Sequence, residues 1–414
     1  MGLSRQGREV VGRVRRKKTV PGQSAEAHDP PKASAVRGNF TPPSPAKRPP
    51  VKPADDDADY RVPTGSSSRF ALHNWRVPTR LVAIAIVPVV AGLIFAGLRV
   101  SSSIDFARQA DEAERVANLT RSATTLAHAL QNERDVSALP LTRGNRKSPE
   151  VQQARANTDR VLAQFRKDAA KIEDNDRVLA RIQAAETNLY WLDSLRKNAF
   201  DPALMPLATQ LAYSEMFRPL MQFTNELGFG SNVTSRGRSL YAVSLAKASS
   251  STQRCLVQTA LARDQLTRFD PVAVQAAVTL EQTAYAEFLA GALPEDIQLF
   301  KATMAQSNDL AHDRYMVQVL SVRPGNSLSA AGLSPAEWYK VASTEIDLMR
   351  KVELGMTNRI VADAQEIKAD AERDAIINGT AALLAVAIAA LLTITFSRSM
   401  VRGMATLRAS AIDV

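Results

Sequence analysis

The chain has 414 residues, 45% of them hydrophobic, which is enough for a sizeable core, yet only 6% are aromatic. Few aromatics beside abundant Ala, Leu and Val argue against sandwiches and barrels, which draw on β-branched and aromatic residues, and predict an all-α protein. The net charge of +10 does not mark a nucleic-acid binder: residues 1–80 hold 16 of the 52 Lys and Arg but only 7 of the 42 Asp and Glu, so the body is near neutral.

Cys255 is the only cysteine, so neither an intrachain disulfide nor a cysteine-based metal site is expected. His28, His73, His128 and His312 lack ligand spacing, and no metal or cofactor is implied.

Residues 1–70 are rich in Pro, Ser, Lys and Asp, a composition that buries too little surface to offset chain entropy, and they read as a disordered cytoplasmic tail. Its run Arg15, Arg16, Lys17 and Lys18 can touch anionic membrane lipid, or simply be solvated. Gly2 does not open a myristoylation site, because Gln6 stands where Ser or Thr is needed.

Residues 81–98 carry no charge over the length of a membrane span, with Pro88 as a kink, and form the first expected transmembrane helix. Some eighty residues precede it, which fits an anchor better than a cleaved signal peptide. Residues 375–396 form the second. Arg69, Arg76 and Arg80 flank the first, and Arg398, Arg402 and Arg408 follow the second, which places both termini in the cytoplasm and residues 100–374 outside the membrane.

The outer domain reads as successive amphipathic helices. Ile104, Val116, Leu119, Leu126 and Leu130 mark one face of a helix over 101–139. Further helices are expected over 150–173, 176–198, 202–228, 232–267, 271–291 and 294–320. Ser334, Pro335 and Glu337 then supply a cap, a first-turn proline and a capping-box partner. The stripe Trp338, Val341, Ile346, Met349, Val352, Met356 and Ile360 leads from there unbroken into the second span. Long antiparallel helices of this kind predict helix bundles.

Three segments carry a resemblance to a known family. Residues 130–139, with Glu133 and Arg134, resemble the first signature of the nitrate- and nitrite-sensing domain, with Asp135 where Gly is commoner. Residues 247–257, with Arg254, are similar to its later helix, Gln253 replacing a Glu. Trp338 and residues 346–352 are similar to its final helix, and Asn74 to Arg80 look like the membrane entry of actinobacterial sensor histidine kinases. The resemblance implies two four-helix-type bundles with nitrate or nitrite held between them by arginines, here Arg134, Arg254 and Arg350. Guanidinium suits that ligand, because its planar fork of charged donors meets two oxygens of a planar monoanion at once. Against this stands the plainer reading of a mid-helix arginine paired with a carboxylate: Glu133 and Asp135 are adjacent to Arg134, and Asp111 or Glu112 is in possible reach. Ser137, Ser250 and Ser251 could add hydroxyl donors, or bond their own backbone.

Residues 397–414 look like the opening of a HAMP linker, too short to be whole, whose coiled coil would make the protein a homodimer. No phosphoacceptor or nucleotide motif is present, so no catalysis is expected of this chain by itself. The expected function is the sensor half of a two-component histidine kinase. A helical receptor for another ligand and a kinase-free membrane scaffold are the alternatives.

Overall fold

The computed structural model describes residues 77–410, apart from 202, 203, 205, 229, 230 and 308. The tail expected over 1–70 and the final residues of the expected linker lie outside them.

The first helix, α1, runs from Val77 to Thr142 without interruption. The span expected to end at residue 98 and the helix expected from 101 are separate elements in the sequence pattern. The backbone joins them, and it passes through Pro88 as helix. At about 1.5 Å per residue, α1 is a rod of about 100 Å that links the apolar segment directly to the outer domain. It ends at Gly144, which takes the left-handed conformation (φ +78°), while Asn145 N donates to Pro140 O and Gly144 N to Leu141 O.

The short helices follow: α2 (Pro149–Ala169), α3 (Asp176–Leu189), α4 (Leu192–Asn198) and α5 (Pro206–Met221). Asn175 caps α3 by accepting from Val178 N. The single helix expected over 176–198 is broken at Tyr190 and Trp191, a pair of exposed aromatics in T-shaped contact. The helix expected over 202–228 gives way to a 3₁₀ turn at Gln222–Glu226. Pro219 is nevertheless kept inside α5, and the carbonyl of Glu215, which a proline at that position cannot bond, accepts from Asn188 Nδ2 instead.

The second half comprises α6 (Ser231–Arg263), α7 (Asp270–Gly291), α8 (Pro294–Met304), α9 (Asp309–Ser321) and α10 (Pro335–Ser410). Asp264 ends α6 earlier than expected by adopting a left-handed φ of +58°, where its carboxylate accepts from Ser327 Oγ and Ser329 N. The helix expected over 294–320 is two, α8 and α9, separated by a turn in which Ser307 N donates to Met304 O. Ser334 Oγ accepts from Glu337 N to cap α10, as expected. The helix then continues through the apolar segment.

The protein is all-α, with no strand among the described residues. One group of helices packs α2 and α5 on α1. A second packs α6 on α7 and α10, with α8 and α9 beside α10. α1 lies against both α6 and α10 and so joins the groups. The larger core runs across this junction, through Leu119, Leu126, Leu130, Phe165, Tyr213, Leu240 and Met356. A smaller one holds Val257, Leu261, Tyr315, Val319 and Trp338 at the far end from the apolar segments.

α1 and α10 are each long and apolar enough to cross a membrane. Their most apolar stretches lie wholly at the surface, exposing Leu93, Phe95 and Leu98 on one helix and Leu383, Leu384, Leu391 and Phe396 on the other. Such rows are unfavourable in water and suit hydrocarbon. The chain is thus compatible with a two-pass membrane protein.

Candidate anion site between the helical groups

Where α1, α6 and α10 meet, the interior is charged. Arg134 is completely buried, and Arg254 and Asp135 are nearly so. Arg134 Nε donates to Asp135 Oδ1 at 2.7 Å, and its Nη2 donates to Ser251 Oγ at 2.7 Å. From the facing helix, Arg254 places Nε and Nη2 on the other oxygen, Asp135 Oδ2, at 3.0 and 2.9 Å. Ser251 also donates to that oxygen. Each guanidinium lies over an aromatic ring, Arg134 over Phe217 and Arg254 over Tyr339.

The arrangement brings two of the three expected arginines together. The carboxylate between them is neither Asp111, which pairs with Arg115 and Lys368, nor Glu112, which accepts from Asn175. It is Asp135, the residue next to Arg134 in sequence. That pairing is among those the sequence offers, but neighbours on a helix point about 100° apart, and the sequence does not show that Asp135 also reaches Arg254 on the facing helix.

Arg350 lies elsewhere. It donates to Glu353 one turn along α10, and to Thr124 O and Thr125 Oγ1 on α1. Glu353 also accepts from Lys247 Nζ and Ser244 Oγ on α6. Burial opposes the ionisation of Glu353, but Lys247 and Arg350 outweigh it and carry its pKa down to about 2. Burial likewise dominates at Lys247, whose pKa falls to about 8 despite the attraction of Glu353. Neither Lys247 nor Glu353 was singled out from the sequence, where a mid-helix Lys or Glu reads as surface.

Of the three serines, Ser251 joins the arginine cluster. Ser250 donates to Glu281, a carboxyl whose pKa is raised by burial, and Ser137 Oγ is buried without a partner. Cys255, beside the cluster, has its thiol pushed up to about 12 by burial, which makes it an inert packing residue. His128 is held well below its ordinary pKa by burial and by Lys247 and Arg350, so it adds no charge.

Four basic side chains, Arg134, Arg254, Lys247 and Arg350, therefore meet two acidic ones, Asp135 and Glu353, across the three-helix junction. One donor is left over. Arg134 Nη1 is buried with no hydrogen-bond partner. A buried guanidinium nitrogen without an acceptor is costly, and such orphans in an otherwise bonded cluster mark a place for a ligand or an ion. The junction therefore keeps one buried, charged donor without an acceptor.

Comparisons with known proteins bear on the same region. The structure resembles that of the NasR transcription antiterminator, with a TM-score of 0.56 over 70% of this chain and 84% of that one. At 19% identity this likeness concerns the fold alone. No curated protein sequence matches. The model of the nitrate and nitrite sensing family matches residues 125–361, more than half of the chain and all of the charged junction. The chain belongs to the nitrate and nitrite sensing family.

Proposed function

We propose that this protein is a two-pass membrane sensor that binds nitrate or nitrite outside the membrane at Arg134 and Arg254. We further propose that it acts as a homodimer forming the sensor part of a two-component histidine kinase, with both termini cytoplasmic. The observation that carries the ligand is Arg134 Nη1, a fully buried charged donor left without an acceptor beside a second guanidinium. Flanking rings and deep burial favour a flat, weakly hydrated monoanion over a divalent one such as sulfate, whose desolvation cost is larger.

The route outward follows from the helices that hold the arginines. Arg134 stands on α1, which runs into the first apolar segment. Arg254 stands on α6 but is gripped by α10, since its Nη1 donates to Ser343 Oγ and its backbone carbonyl accepts from Trp338 Nε1. An anion drawing the two guanidiniums together therefore moves α10 along α1. Shifts of about 1–2 Å are typical of such switches, and an unbroken helix passes them along its axis. A HAMP coiled coil after the second span would receive the displacement in the dimer.

The test is calorimetric titration of the full chain in lipid nanodiscs with nitrate, nitrite, chloride and sulfate. Nitrate or nitrite should bind. Arg134→Ala and Arg254→Ala should abolish binding while the helical circular dichroism persists, and Arg254→Lys should weaken it because the fork is lost. Parent protein without binding heat for any of the four ions overturns the anion site. Alkaline phosphatase fused at Val414 should be inactive, and fused after Gly144 active. The reverse would overturn the topology.

A further inference from the structure

Asp135 occupies the ground between the two guanidiniums. Its Oδ1 takes the Nε–H of Arg134, and its Oδ2 takes both Nε–H and Nη2–H of Arg254. The side-on fork of Arg254, the edge best shaped for a planar anion, is thus closed on a carboxylate of the protein itself. A carboxylate and a nitrate are alike at such an edge, since each offers a pair of coplanar oxygens carrying one negative charge.

We infer that Asp135 is a tethered competitor of the anion. Its carboxylate must leave the fork of Arg254 before nitrate or nitrite can engage both arginines, and so it sets the concentration to which the sensor responds. This rests on the anion-site reading above and adds the element that tunes it.

Burial is the first reason. Asp135 and both arginines are almost wholly removed from water, so no hydration shell can stand in for either anion, and the two compete directly for the same donors. Charge is the second. One carboxylate against two guanidiniums leaves one positive charge over, so a monoanion can enter without expelling Asp135 from the cluster altogether. The third is the bonding of the trio. If Asp135 swings off Arg254 it keeps Arg134 Nε, while Ser251, which already bonds Arg134 Nη2, remains beside it. Release from Arg254 is a rotation of one short side chain rather than an unfolding.

A competitor and an orienting residue differ in what neutralisation does. A carboxylate that only aligned the arginines would make binding weaker when neutralised, whereas a competitor makes it tighter. Asp135→Asn keeps the size and one acceptor oxygen and removes the charge. The measurement is nitrate titration of the full chain in nanodiscs, in chloride-free buffer, parent beside Asp135→Asn. The variant should bind nitrate at least about tenfold tighter, as expected from removing a like charge a few ångströms from the ligand. Equal or weaker binding, with the parent still binding nitrate, overturns the competitor and leaves the anion site standing. Nitrate binding to neither, with both folded, overturns the anion site itself.

Neutralising Asp135 leaves two buried cations poorly compensated, and the variant can fail to fold without an anion. The parent then supplies the test. Infrared difference spectra of protein carrying ¹³C-carboxyl aspartate should show a buried carboxylate band moving when nitrate is added. Nitrate binding with no change in any carboxylate band overturns the inference.

Discussion

Two arginine clusters on α6 are built from the same parts in opposite proportion. Near the start of the helix one guanidinium, Arg236, meets three carboxylates, those of Asp296, Glu295 and Asp363. Two turns or more beyond its middle, two guanidiniums, Arg134 and Arg254, share one carboxylate. In the first, acceptors outnumber the cation, every nitrogen of Arg236 has an assigned oxygen, and Asp296 takes a second arginine, Arg359. Glu295 and Asp363 also reach solvent, which satisfies their remaining lone pairs. In the second, donors outnumber acceptors, solvent is excluded, and one nitrogen is orphaned. The difference teaches what distinguishes a clamp from a site. The clamp leaves no nitrogen of Arg236 without an acceptor, whereas the cluster of Arg134 and Arg254 leaves one buried donor unbonded and two guanidiniums on a single carboxylate.

The largest expected effect breaks the comparison if it fails. Arg236→Ala strips a buried carboxylate of its main partner and parts α6, α8 and α10, so it should cost about 3 kcal/mol, the lower end for breaking a buried pair because Arg359 still serves Asp296. Nitrate affinity should stay within about twofold, since the clamp touches none of the site's donors. Thermal unfolding and calorimetry on the same sample check both halves. If Arg236→Ala weakens nitrate as severely as Arg254→Ala, the two clusters are one cooperative unit and the distinction falls.

This contrast was only half legible in the sequence. The two long apolar helices were, because uncharged runs of that length stand out from an amphipathic pattern, and so was the cap at Ser334. Arg134 and Arg254 were legible through family signatures rather than through physics. Asp135 was visible as a departure from the signature, yet its role depends on side chains meeting across three helices that are distant in the chain. The clamp at Arg236 and the pair of Lys247 with Glu353 gave no signal, since a charged residue within a helix looks the same whether it faces water or another helix. The breaks at Tyr190 and after Met304 were hidden for a different reason: neither carries the Gly or Pro that normally announces one.

A smaller effect sharpens the comparison at an intermediate case. Glu353 joins α10 to Lys247 and Ser244 of α6 and is fully buried, so it belongs with the site by solvent exclusion and with the clamp by complete bonding. Glu353→Gln keeps most of the geometry but not the charge, and should cost about 2 kcal/mol near neutral pH. Because the folded pKa of Glu353 lies below its ordinary 4.5, its charge stabilises the fold above that value. That contribution is lost as pH falls from about 4.5 towards about 2. The difference in stability between parent and variant should therefore be constant from pH 7 to 5 and shrink below about 4.5. A difference that does not depend on pH in that range would mean the ionised pair contributes nothing beyond shape.

The smallest effect concerns a polar contact that neither clamps nor binds. Where the two long helices approach their apolar segments, Asn378 Nδ2 on α10 donates to Ser103 Oγ on α1 at 2.8 Å, and Asn378 Oδ1 accepts from Arg99 at 3.4 Å. These are neutral or long bonds between partly exposed groups, and interhelical hydrogen bonds of this kind average about 0.6 kcal/mol in membrane proteins. Asn378→Ala should therefore lower stability by about that amount, with a double-mutant cycle against Ser103→Ala giving a coupling of similar size. Nitrate affinity should not change, because the contact lies more than thirty residues along α1 from Arg134. What should change is transmission. With the tie removed, spin labels on α1 and α10 beside the apolar segments should move further apart or closer on nitrate addition than in the parent, since the contact resists sliding. A nitrate-induced change in label distance equal to the parent's would mean that the tie only holds the two helices together and does not gate their movement.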